Sequence, residues 1–77
     1  MELIDYSYKR RGMKAWFDDY PNSPVILRVI GHYYIIYRIL WSECDPVVKR
    51  TDLIEMEKLI NRELGTEQAY LSRKRMG

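Results

Sequence analysis

His32 is the only histidine and Cys44 the only cysteine of this chain, so neither has the partners that metal or nucleophilic chemistry needs. A zinc site draws on three or four Cys, His or carboxylate ligands at set spacing. His32 has no such neighbour and reads as a partly buried structural imidazole. Cys44 stands between Glu43 and Asp45, whose charge disfavours a thiolate, so it reads as a structural thiol rather than a nucleophile. Asp18 and Asp19 are adjacent; on a helix they diverge by about 100° and make a poor general acid and base. The four glycines are scattered and form no phosphate loop. The expectation is therefore a protein that is not an enzyme, with no cofactor and no metal.

Binding chemistry is better represented. Lys9, Arg10 and Arg11 form one basic cluster, Arg73, Lys74 and Arg75 a second, and Lys49 and Arg50 a smaller third. With a net charge of only +2, their distribution says more than their sum. Clusters of this kind either face water at helix ends or meet an anionic partner. The seven tyrosines are a second resource, because an aromatic ring with a polar tip suits interfaces as well as cores. Trp16, Phe17, Tyr33, Tyr34, Tyr37 and Trp41 are the candidate protein-interface residues, since aromatic and arginine anchors grouped in one patch dominate binding energy.

The elements that must position these residues form one domain over residues 1–77. So short a chain buries only about 60% of its unfolded surface, which favours a homo-oligomer or a larger partner. Hydrophobic residues at 47% and charged residues at 31% argue against disorder. A lone cysteine excludes an internal disulfide and fits a reducing cytoplasm. MELIDYSYKRR lacks the apolar core of a signal peptide. Arg28, His32 and Arg38 interrupt the most apolar run, which argues against a membrane span.

Turn residues punctuate the chain at 20–24, 42–46 and 64–66. Met13, Trp16, Phe17 and Tyr20 recur at helical spacing, so part of 3–19 is expected to be a helix stopped by Pro21. The alternation of Ile4, Tyr6 and Tyr8 offers a strand over 1–9 instead. The run 25–41 is rich in Val, Ile and Tyr, which favour strands, and Gly31-His32 suits a two-residue hairpin turn that pairs Val29 with Tyr34. Both faces of that hairpin would be apolar, however, with too little chain to cover them. As a helix from 24 to 43, capped by Ser23 and Pro24, the run gathers Arg28, Gly31, His32, Arg38, Ser42 and Glu43 into one arc of roughly 140°. The helix is the preferred reading. Downstream, Thr51 caps a helix whose Leu53, Met56, Leu59, Ile60 and Leu64 share a face, Gly65 ends it, and Thr66 caps a last basic helix.

Leu64, Gly65 and Leu71 hold the turn and anchor positions of a helix-turn-helix, and the ending YLSRKR resembles the recognition helix of bacterial and phage helix-turn-helix regulators. Residues 51–75 carry the resemblance. It extends weakly to small phage regulators with a sigma-factor-like trihelical end, where 24–43 would be the first helix. Asn61 replaces that pattern's usual small residue, and Thr66 its apolar one. The resemblance implies a small all-α domain of three or four helices and a transcriptional regulator of phage or mobile-element type binding duplex DNA. Glu67, Gln68 and Tyr70 would then meet base edges, while Arg62, Arg73, Lys74 and Arg75 would neutralise phosphates. The alternative is an α+β protein with a β-hairpin at 25–41 packed on the C-terminal helices. It would act as a protein-binding inhibitor or adaptor, of the phage-encoded kind, through an aromatic surface patch.

Overall fold

Four strands come first in the chain: β1 (Leu3–Lys9), β2 (Gly12–Phe17), β3 (Tyr20–Ile30) and β4 (Tyr33–Ile39). Two helices follow, α1 (Arg50–Glu63) and α2 (Glu67–Met76). The computed structural model describes the backbone of residues 1–76 and the side chains of residues 1–72. The strands make one antiparallel sheet in the order β1-β2-β3-β4, joined by two-residue turns at Arg10–Arg11, Asp18–Asp19 and Gly31–His32. This is an α+β fold, and it overturns the all-α expectation.

Period-two alternation explains β2. Met13, Ala15 and Phe17 are fully buried, while Lys14 and Trp16 point the other way. The helical spacing of Met13, Trp16 and Phe17 mixes the two faces of a strand, and Ala15 supplies the missing inward position. Across the ladder, Met13 lies opposite Leu27 and Ala15 opposite Val25. The expected helix from 24 to 43 is likewise replaced by the β3–β4 hairpin, with Val29 opposite Tyr34 and Ile30 opposite Tyr33. Gly31 has φ of 60°, and glycine takes this left-handed first turn position without steric cost. His32, beside it, is exposed rather than partly buried.

The helices cover one face of the sheet. Met56 and Ile60 of α1 join Met13, Ala15, Phe17, Tyr20, Val25 and Leu27 in the buried core. Leu53, Leu59 and Leu64 pack at its margin, so the apolar stripe read from the sequence is the stripe that docks. Lys49, rather than Thr51, holds the N-cap position, and it makes no side-chain capping bond. Gly65, with φ of 74°, turns the chain between the helices.

At Gly12 two backbones of the sheet approach closely. A Cβ there would lie 1.9 Å from the Leu27 carbonyl oxygen, which is backbone and cannot rotate away. At Gly31 a Cβ meets open space, leaving only the left-handed backbone penalty of about 1–2 kcal/mol. Gly12→Ala is therefore expected to cost more than Gly31→Ala, about 3 kcal/mol as overpacking. That loss would lower the thermal midpoint by more than about 10 °C. Circular dichroism melts of the two variants check the order; equal midpoints would contradict the close approach.

Candidate interaction surface

A sheet of four strands has two open edges and two faces, and side-chain chemistry treats each one differently. At the β4 edge, α1 supplies side chains in place of a fifth strand. Asn61 Oδ1 accepts from the Tyr34 amide at 2.8 Å, and Asn61 Nδ2 donates to the Tyr34 carbonyl at 2.9 Å. Glu57, one turn earlier, accepts from the Ile36 amide at 2.8 Å. Asn61 also donates to the Glu57 carbonyl and accepts from the Thr66 hydroxyl, both at 2.8 Å. All four hydrogen-bonding positions of its buried amide are thus filled.

Glu57 also fixes α2, because its second carboxylate oxygen accepts from the Tyr70 hydroxyl at 2.8 Å. Tyr70 is buried, and burial followed by the Glu57 bond raises its phenol pKa well above the ordinary value. Its ring meets Tyr33 edge-on with centroids 6.1 Å apart. Glu67 is held by Arg62 through a 3.0 Å ion pair. Of the residues expected to read base edges, Tyr70 is therefore inside the fold, Glu67 is engaged, and Gln68 alone is plainly exposed. The side chains of Arg73, Lys74 and Arg75 lie outside the described residues. In this β-rich domain, α2 packs back on α1 and β4 instead of projecting. The structure gives the DNA-binding helix-turn-helix reading no support.

The segment 40–49 is fastened to the sheet by one carboxylate. Asp45, buried, accepts from the Ser23 hydroxyl at 2.6 Å, the Asn22 amide at 3.0 Å and the Asn22 side chain at 3.2 Å. Ser23 Oγ in turn accepts from the Ser42 amide at 2.9 Å. Ser23, read from the sequence as a helix cap, is thus the anchor of a loop. Trp41 donates through Nε1 to the Pro46 carbonyl at 3.0 Å. Held this way, the loop leaves a shallow apolar depression of about 290 Å³ between Ile39, Trp41, Val47, Val48 and Leu53. Val47 at its rim is 76% exposed. Cys44, on the same loop, is a free and exposed thiol.

The sheet face opposite the helices carries Lys9, Lys14, Trp16, Ile26, Arg28 and Ile35, by the alternation that buries their neighbours. A bulge after Ile26 opposes two β4 residues to one of β3, which brings Tyr37 beside Arg38. The Arg28 guanidinium lies 3.5 Å from the Tyr37 ring centroid, and the Lys14 ammonium 5.4 Å from that of Trp16. Cations over aromatic faces attract, and their aliphatic stems shield the half-buried Ile26 and Ile35. Of the aromatics expected at an interface, Trp16 and Tyr37 lie on this face and Trp41 lies beside the depression. Phe17 is core, Tyr34 packs against the core, and Tyr33 sits against Tyr70. Among the described residues, no group of three or more His, Cys, Asp or Glu could hold a metal ion, and no helix is long and apolar enough to cross a membrane.

A protein family described as "Uncharacterised protein YuzH" matches residues 2–75. The chain belongs to that family. No curated protein and no solved structure matches it. Membership of the YuzH family names no activity.

Two outcomes test the geometry beneath those surfaces. Asn61→Ala strips partners from the Tyr34 amide and carbonyl, at about 1–3 kcal/mol for each polar group left unpaired. The expected loss is about 2–4 kcal/mol, with faster amide exchange at Tyr34; an unchanged urea midpoint would refute the seal. Tyr20, buried, donates its hydroxyl to the Asp52 carboxylate. That bond, with burial, lifts its phenol from 10.0 to about 12. The folded state holds this proton more tightly than the unfolded chain, so the stabilisation is complete below pH 10 and is lost as pH rises towards 12. Tyr20→Phe is expected to flatten the fall of stability in that window, measured by denaturation at graded alkaline pH.

Proposed function

We propose that this chain is a small protein-binding module, an adaptor or inhibitor that acts by binding and has no reaction of its own. Its docking surface is the open sheet face together with the apolar depression beside Trp41. The observation that carries this reading is the cation–aromatic face, where Arg28 stacks on Tyr37 and Lys14 on Trp16 while the opposite face is closed by α1.

Charge chooses the partner. Lys9, Lys14, Arg28 and Arg38 lie on this face with Asp5 as the acidic residue among them. The complementary surface is therefore a protein rich in Asp and Glu around an apolar side chain. That side chain enters the depression lined by Ile39, Trp41, Val47, Val48 and Leu53, while its carboxylates meet Arg38 and Arg28. Aromatic and arginine anchors of this type carry most of the binding energy in many protein interfaces. Rim charges chiefly speed the encounter and make it salt-sensitive.

Arg28→Glu/Arg38→Glu reverses the face while leaving the core intact. Native and variant chains, expressed in the same cells and recovered with their partners by quantitative mass spectrometry, are compared first. A protein retained by the native chain and lost by the variant is then purified and titrated. The expected result is salt-sensitive binding that weakens at least about 100-fold, equivalent to about 2.7 kcal/mol. Equal recovery by both chains, with unchanged circular dichroism, would reject the face as the docking surface.

A further inference from the structure

We propose that two copies of this chain pair edge to edge through β1, forming a continuous eight-stranded sheet about a two-fold axis at Ser7. The inference does not depend on the open-face reading, because its hydrogen bonds run along the rim of the sheet and need no protein docked on Arg28 and Arg38.

The two rims differ in how their backbone is satisfied. At β4, Asn61 and Glu57 occupy the outward amides of Tyr34 and Ile36. At β1, the outward amide of Tyr6 is met by the carboxylate of its own neighbour Asp5, at 2.8 Å. Backbone groups alternate in direction along a strand, so Tyr8 shares that outward direction, while Asp5, Ser7 and Lys9 turn towards β2. The strand has seven residues and no proline, and its Tyr8 is 65% exposed. A long edge of this kind is a template for another strand.

The sequence of β1 is complementary to itself in one antiparallel register. With Ser7 opposite Ser7 of the second copy, Tyr6 faces the second copy's Tyr8, and the two residues with outward backbone groups exchange both hydrogen bonds. Two-fold symmetry repeats this pair, giving four backbone bonds. Asp5 then lies opposite the second copy's Lys9, twice, on the face away from the helices. Tyr6 and Tyr8, already edge-to-face with centroids 6.0 Å apart, line up with their counterparts as a four-ring ladder on the other face. Opposite charges and aromatic pairs are the cross-strand combinations that stabilise sheets. In forming the pair, the Tyr6 amide passes from Asp5 to the second copy's Tyr8 carbonyl, which frees the Asp5 carboxylate for lysine.

The test is sedimentation equilibrium of the full chain from micromolar to millimolar concentration. The native protein is expected to dimerise. Asp5→Lys and Lys9→Asp should each weaken the dimer by about tenfold or more, since each places two like-charged pairs across the axis. The double variant Asp5→Lys/Lys9→Asp should recover native association. In the native chain alone, amide exchange at Tyr6 and Tyr8 should slow as concentration rises, a readout that needs no variant to fold. A native chain that stays monomeric throughout would overturn the proposal. So would single reversals without effect, or a double variant that fails to recover.

Discussion

An asparagine that behaves as a piece of strand holds this fold together. Asn61 presents its amide carbonyl to the N–H of Tyr34 and its amide NH2 to the carbonyl of Tyr34, as a neighbouring strand would. Its remaining positions tie α1 to the start of α2 through Thr66. Glu57 repeats the arrangement one turn earlier, with one oxygen on Ile36 and the other on Tyr70. Sheet edge, first helix and second helix are therefore joined through two residues four apart. A partly satisfied network of this kind would be worse than an apolar contact. This one leaves no buried side-chain nitrogen or oxygen unpaired among the described residues.

That network also orders the packing. α1 must lie close enough to β4 to reach its backbone, which sets Met56 and Ile60 over Met13, Phe17 and Leu27. The sheet is then covered on one side, and its other side is left to its own side chains. Cations folded over aromatic rings, Arg28 on Tyr37 and Lys14 on Trp16, give that side a surface that mixes charge with apolar area, without a second layer of helices.

The helical half was legible because its pattern is local: a five-residue stripe from Leu53 to Leu64, followed by Gly65. The strand half was misread for a physical reason. A run apolar on both faces looked too costly for a small sheet, yet Ile26 and Ile35 are sheltered by Lys14, Trp16, Arg28 and Tyr37, neighbours that join them only after the strands pair. The hairpin turn at Gly31-His32 and the Val29–Tyr34 register were visible as the less favoured reading. Asn61 was noticed as a departure from the helix-turn-helix pattern. The departure was the signal, since a polar residue beside an apolar stripe, one turn after Glu57, marks a helix that hydrogen-bonds across its inner margin. Trp16, Tyr37 and Trp41 were reached by residue type alone, whereas Arg28, Lys14 and the loop around Val47 required the pairing of distant segments. Nothing in the spacing of Asp45 from Ser23 foretold their bond.

That bond has a consequence for how the surface can change over time. Asp45 fastens the loop through polar contacts to Ser23 and Asn22, so its path does not depend on the exposed side chain of Val47. Trp41 and Val47 sit on a tethered scaffold rather than in the core. Substitutions there can reshape the depression while Met13, Phe17, Met56 and Ile60 keep the domain folded. Descendants of one ancestral chain could thus vary this patch by a few replacements in a single loop, with the architecture inherited intact.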